Sequence, residues 1–405
     1  HASEDLRRCF AEGYSSVKCY MTYDALKLRD QELLDVLELC RRHAAMVMVH
    51  AESHDLVTWM TNQLLSTERR AAKYHAVARP VLAEREATSR AVTFAEFVGT
   101  PLLIVHVSSR QAADVIRSAR ARRLPIYGET CPQYLTLTHK CLCAPGVEGN
   151  KFLCSPPLRS EADQAALWEA LRRGDLQVVS SDHSAYNFGG GAPASKTAGG
   201  PSTPFAKVPM GLPGLECRMP LLVSGFLDGR LESLEQVALI GCENPARLYG
   251  LYPRKGTLQV GSDADVVLWD ATEGSAAERI LTKASLHDEL DYTPYEGMAV
   301  RGQVVRTLLR GRTVFQCHVG WGATTGTKAS NGAGTDAGTG VGARAAETIS
   351  ALRGGGEFIV CGKPDLPDWS GVWPDESDLV QQQCVEILGP MLDGDAVPGA
   401  RGEGV

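Results

Sequence analysis

No stretch of this 405-residue chain reaches the ~18 consecutive apolar residues of a membrane-spanning helix, so no membrane span is expected. The start lacks the basic, apolar and small-residue sequence of a secretory leader. A basic footprint is missing as well. Lys and Arg number 41 against 48 Asp and Glu, for a formal net charge of −7, and the acids are spread out, so nucleic acid is not an expected partner. Neither GxGxxG nor GxxxxGK(S/T) follows a predicted strand, which removes the nucleotide-binding folds that need a phosphate cradle. The 12 cysteines include no CxxC pair, and only Cys141 and Cys143 lie close together, so a cysteine–zinc site is not expected. Several sit in apolar runs (Cys40, Cys131, Cys154, Cys242), and free thiols in a reducing cytosol are the expectation. The chain starts at His1, not methionine, with no cap or strand there, and is expected to be a fragment of a longer one.

What is present is ordinary globular composition, 44 % hydrophobic and 22 % charged, with length for one large domain and a smaller one, or for two to three. Strands and helices alternate. SSVKCYM (15–21), AMVMVH (45–50), TPLLIVHVS (100–108), LPIYGET (124–130) and LQVVSSDH (176–183) read as strands. RDQELLDVLELCRRHA (29–44) reads as a helix with Leu33, Leu34, Val36, Leu37 and Cys40 in a stripe. RQAADVIRSARAR (110–122) and SEADQAALWEALRRG (160–174) read as helices, the second with a serine cap and a closing glycine. Continuous apolar strands between helices predict a parallel sheet covered on both sides, either a barrel or a doubly wound sheet.

After Leu251 the texture changes. GTLQVGSDADVVLWD (256–270) and GQVVRTLLRGRTVF (302–315) predict β-hairpin material in a small β domain. Residues 317–354, rich in Gly, Ala and Thr, predict a linker or insertion. Residues 355–405 predict a loosely ordered tail.

Polar, metal-competent side chains recur at the C-terminal ends of the predicted strands, each ending one: Lys18, His50, His106 and Asp182. In a parallel α/β barrel the active site is built at that rim. One such histidine is weak evidence; four such residues on four strands are not. Two imidazoles and a carboxylate suit zinc or a similar divalent ion. A protonated lysine has no lone pair to offer. Carboxylated by carbon dioxide it becomes an anionic carbamate with two oxygens, and that would explain a lysine in the middle of a largely buried strand.

SSVKCYMTY resembles the SxKxFMxY motif of the dihydropyrimidinase/hydantoinase family of the amidohydrolase superfamily. VMVHAES, LLIVHVSS, ETCPQYL, CSPPLR, SSDHSAYN, GLPGLECRMPLL, CENPARLYGLYPRKGTLQVGSDADVVLWD and LDYTPYEG resemble further blocks of that family in order, over residues 13–316. GLPGLECRMPLL and YGLYPRKG look nearest the fungal type. The resemblance implies a TIM-type (β/α)8 metallo-dependent hydrolase barrel. Its strands 4 to 8 would fall in residues 1–255, with part of a β-sandwich in 256–316. The first strands would be missing, and with them the family's HxH pair: no HxH occurs in this sequence.

The resemblance further implies two zinc ions bridged by N6-carboxylysine at Lys18. His50 and His106 would hold one ion, and Asp182 the other. The cations would lower the pKa of the attacking water, and Asp182 would carry its proton to the leaving nitrogen. Tyr23 would face the oxyanion. Ser155 would contact the ring amide, largely through its backbone. Where the family usually has asparagine this chain has Met210, which bears on substrate preference. The implied substrate is a small cyclic amide, dihydrouracil or dihydrothymine, opened to the N-carbamoyl-β-amino acid; the implied assembly is a cytoplasmic homotetramer.

Three rivals stand beside this: a non-catalytic relative of the collapsin-response-mediator type, an inactive fragment, and an allantoinase or dihydroorotase. The KxxMxY spacing of Lys18 and Tyr23 favours the dihydropyrimidinase branch. Among the remaining residues, His183 is read as structural or as support for a ligand. His54, His75 and His139 are read as surface or helix positions, and Cys131 and Cys154 as core fillers.

Overall fold

The computed structural model describes residues 2–189, 191, 194–271, 279–317, 347–349 and 357–366. A first helix, α1 (Ala2–Ala11), leads into β1 (Ser16–Tyr20). Then follow α2 (Asp30–Arg42), β2 (Met46–His50), α3 (His54–Ser66), α4 (His75–Ala78), α5 (Val81–Val98), β3 (Leu102–Ile104), α6 (Arg110–Ala121), β4 (Ile126–Thr130), α7 (Pro132–Thr136), α8 (Glu161–Arg172) and β5 (Val178–Val179).

Local chemistry accounts for these elements. In α2, Leu33, Leu37 and Cys40 are buried, while Asp30 and Glu32 sit in the first turn and Arg41 and Arg42 in the last, each sign complementing the helix dipole. In α8, Ser160 caps the helix: its Oγ accepts from the Asp163 N–H, and Asp163 reaches back to the Ser160 N–H.

The five strands form one parallel sheet in the order β1-β2-β3-β4-β5. Tyr20 stands opposite His50, Val47 opposite Leu102, Leu102 opposite Ile126 and Thr130 opposite Val179. All strand C-termini therefore open onto one rim. The two faces pack differently. Val47, Val49, Leu102 and Ile104 join the large core beneath the helices. Met46, Leu103, Val105, Tyr127 and Val178 form a second cluster on the inner face, closed by Leu248 and Leu366. The expected α/β parallel architecture is present, but the sheet is not closed. Among the described residues β1 pairs with no strand but β2; on its other edge it makes a single isolated bridge, Tyr20 with Lys27, and is otherwise open.

Further on, α9 (Arg218–Leu227) packs beside α7, and the second region is antiparallel. It comprises β6 (Val266–Asp270), β7 (Arg279–Ile280), β8 (Ala299–Val300), β9 (Gln303–Leu309), β10 (Arg312–Cys317) and β11 (Glu347–Ile349), with the order β11-β10-β9-β6 and β7 paired to β8. The β9–β10 hairpin turns at Arg310 and Gly311, both at positive φ (49° and 77°), as a two-residue primed turn requires. Most of the predicted linker and tail lies outside the described residues. Residues 357–366 are held against the barrel: the N–H groups of Cys361, Gly362 and Asp365 donate to the carbonyls of Gly13, Gly250 and Arg247 at 3.0, 2.8 and 2.9 Å.

Candidate metal and substrate site

Strand alternation sends Met46, Met48 and His50 of β2 to the inner face, and Lys18 stands opposite Met48. His50 ends β2, and its ring is buried. His106 needs a separate explanation. It shares the parity of Leu102 and Ile104, which face the helices. Two residues past β3 the backbone turns left-handed, with φ 43° at His106. The ring then meets that of His50 edge to face, with centroids 4.4 Å apart. Asp182 (φ 44°) and Tyr23 (φ 73°) also adopt positive φ. Such backbone is costly for non-glycine residues and concentrates at functional sites.

Electrostatics keep both imidazoles neutral. Burial lowers the His50 pKa, opposed by its hydrogen bond to Glu52. Burial, then the nearby His50 and Lys18, take His106 well below the usual histidine value. Nε2 of His50 lies 2.7 Å from Oε2 of Glu52, so Nδ1 is the nitrogen left for a ligand. Nδ1 of His106 is buried with no hydrogen-bond partner. Burial pushes Asp182 up to about 6, with Lys18 pulling it down. Burial likewise raises Glu129 to about 6, opposed by Ser180 and Lys18.

One expectation is corrected. Lys18 is neither buried nor at a strand end: it is the middle residue of β1 and is exposed. The reason is the open edge, where no strand covers it. The residue as a whole is exposed, yet its amine is turned toward the site, and desolvation there lowers the Lys18 pKa, with Asp182 and Glu129 opposing. His75, read as a surface or helix position, is the first residue of α4 and is wholly buried, with Nε2 2.7 Å from the Cys154 carbonyl oxygen.

The remaining predicted residues meet at the rim. The Tyr23 ring lies edge-on to His50 at 5.1 Å. Burial raises its phenol to about 12; Arg79 and a hydrogen bond with Ser155 oppose this. Ser155 Oγ in turn donates to Sδ of Met210 at 3.2 Å. Tyr23, Ser155 and Met210 thus form one connected row. His183 is exposed, and its Nδ1 accepts from the N–H groups of Gly214 and Leu215, both at 3.2 Å. It anchors the loop that follows Met210.

The sequence reading missed Glu52, Arg79 and Glu129. Glu52, an acid two residues past a candidate ligand, was a usable signal. Glu129 was visible in LPIYGET only as part of a strand. Arg79 carried no signal.

Among the described residues no three His, Cys, Asp or Glu side chains converge as a ready-made metal cage. The donors present nevertheless fit a divalent ion: two neutral imidazoles with oriented lone pairs, lacking one anionic ligand beside them. A carboxylated Lys18 would supply it.

The Amidohydrolase family model matches residues 8–314. The chain belongs to the amidohydrolase family. It is 38 % identical over 304 residues to a D-hydantoinase of Streptomyces coelicolor, covering 75 % of this chain and 63 % of that protein. A D-hydantoinase of Geobacillus stearothermophilus is 41 % identical over 307 residues, with coverage of 75 % and 63 %. The crystal structure of a dihydropyrimidinase from Brevibacillus agri superposes with a TM-score of 0.73 at 40 % identity, covering 78 % of this chain and 66 % of that one. The chain thus spans just under two thirds of the length of these relatives. No helix among the described residues is long and apolar enough to cross a membrane.

Proposed function

We propose that this chain carries the site of a zinc-dependent cyclic amidohydrolase that opens 5,6-dihydropyrimidines to N-carbamoyl-β-amino acids, with hydantoins as further substrates. The observation that carries the reading is the pair of buried imidazoles, His50 and His106, in edge contact at 4.4 Å, with Lys18 close to both and Asp182 close to Lys18. The hydantoinase and dihydropyrimidinase relatives support the substrate class. In this reading two zinc ions would be held by carboxylated Lys18, with His50 and His106 serving one and Asp182 the other.

Zinc bound there would lower the pKa of water and polarise the amide carbonyl. The side chains supply the rest. Asp182 takes the proton of the attacking water and returns it to the ring nitrogen as the C–N bond breaks. Tyr23, with its pKa raised to about 12, keeps its proton at neutral pH and donates to the developing oxyanion. Ser155 orients the Tyr23 hydroxyl, and Met210 lines the pocket behind it. Two features are proposed with the same reading: assembly as a homotetramer in the cytoplasm, and a domain division into barrel residues 1–255 and β-region residues 256–316.

The experiment is hydrolysis of dihydrouracil and hydantoin by the chain dialysed against zinc and bicarbonate. Zinc-dependent appearance of the N-carbamoyl product supports the reading. A folded chain that neither binds zinc nor turns over either compound refutes it; this chain by itself, without the HxH pair, is expected to be inactive or nearly so.

A further inference from the structure

Arg79 is a buried cation with no part in the reaction outlined above. It lies between α4 and Pro80, outside every strand. Its guanidinium makes two contacts in the site. Nη1 donates to Oε2 of Glu52 at 2.6 Å, and the same oxygen lies 2.7 Å from Nε2 of His50. The guanidinium carbon also sits 5.2 Å from the centre of the Tyr23 ring, within cation–π range.

Oε2 of Glu52 is ion-paired with the Arg79 guanidinium, and a carboxylate held in this way can only accept. An obligate acceptor at Nε2 selects the tautomer with its proton there and leaves Nδ1 bare. Arg79 is itself held in place. Its carbonyl accepts from Nη1 of Arg159 at 2.5 Å. Nε of Arg159 donates to Ser108 Oγ at 3.0 Å, and Nη2 donates to Glu84 Oε2 at 3.3 Å. Ser108 lies two residues past His106, so this buried network also reaches the second imidazole's loop.

We propose that Arg79 is a positioning residue shared by His50 and Tyr23. By clamping Glu52 it fixes the tautomer of His50, and by lying across the phenol ring it fixes the direction of the Tyr23 hydroxyl. The catalytic consequence rests on the hydrolase reading; the tautomer does not. A planar guanidinium can bond a carboxylate and cover a ring together, whereas an ammonium acts as a point charge. Arg79→Lys should keep the first role and lose the second.

The test uses the full chain with 15N-labelled histidine, with the His50 signals assigned from His50→Gln. Metal-free wild type should show His50 in the Nε2–H form alone. Arg79→Met should populate both tautomers and weaken zinc binding ~10-fold or more, and Arg79→Lys should restore both. Where hydrolysis is measurable, Arg79→Lys should lower kcat and spare KM. A folded Arg79→Met protein with unchanged tautomer and zinc affinity within twofold of wild type overturns the proposal. Should Arg79→Met fail to fold, Glu52→Gln decides: a mixed tautomer supports the clamp, and an unmixed one refutes it. A wild type that binds no zinc defeats the hydrolase reading, while the tautomer comparison still stands or falls alone.

Discussion

The rings of His50 and His106 touch edge to face although strand alternation assigns the two residues to opposite faces of the sheet. A left-handed turn at His106, φ 43°, brings the second ring round. Any ion held between them depends on that turn as much as on the imidazoles.

Replacing either ring should remove one of few available ligands. His106→Ala and His50→Ala are each expected to lower zinc affinity by 100-fold or more (about 2.8 kcal/mol at ~1.4 kcal/mol per tenfold), read as zinc per chain after dialysis against graded chelator. Zinc retention equal to wild type in either variant would place the ion elsewhere.

Tyr23→Phe removes a phenolic donor that burial keeps protonated, its pKa raised to about 12. In a hydrolysing preparation kcat is expected to fall roughly 10²- to 10³-fold with KM little changed. The group stays protonated below that value, so the loss should be the same at pH 6 and pH 9. A fall of less than twofold would leave Tyr23 as a wall of the pocket.

Carboxylation of Lys18 should require a bound cation. In the metal-free protein Asp182 and Glu129 both favour the ammonium form, and an anionic carbamate there would face two carboxylates. With 13C-bicarbonate, a carbamate NMR signal is expected only after zinc is added, and not in Lys18→Ala. A signal of equal strength without metal would contradict this electrostatic account.

Lys196 gives a stability prediction independent of the chemistry. Its amine is wholly buried and donates to the Leu153 carbonyl at 2.8 Å. Burial, opposed by Cys154, lowers its pKa to about 7, against ~10.4 in an unfolded chain. Across that window the unfolded chain binds a proton that the native one has released, so stability rises with pH. Below about pH 7 the buried charge costs most. Lys196→Met should therefore compare more favourably with wild type at pH 6 than at pH 10, by on the order of 1–3 kcal/mol in urea unfolding. The same difference at both pH values would mean that the native amine stays charged throughout.

Much of the scaffold was legible in the chain. Apolar runs such as AMVMVH and LPIYGET can be satisfied only as buried parallel strands, and the Leu33, Leu37, Cys40 stripe only as a helix lying on them. Those patterns placed His50 at the end of β2 and the other candidate ligands near the same rim, because parallel strands share their direction. Period-2 and period-3.6 patterning are local, and residues a few positions apart carry them.

Other features were settled only when distant segments met. Alternation alone points His106 toward the helices; the left-handed turn beyond β3 reverses it. Lys18 reads as buried from its neighbours in sequence, yet it is exposed, because burial of a strand depends on what pairs with its edge. Arg79 is 27 residues from Glu52 and 80 from Arg159, and no periodicity links them. Hydrogen bonds and charge pairing act through space at about 3 Å. A sequence specifies which groups are available for such contacts, but packing decides which of them meet.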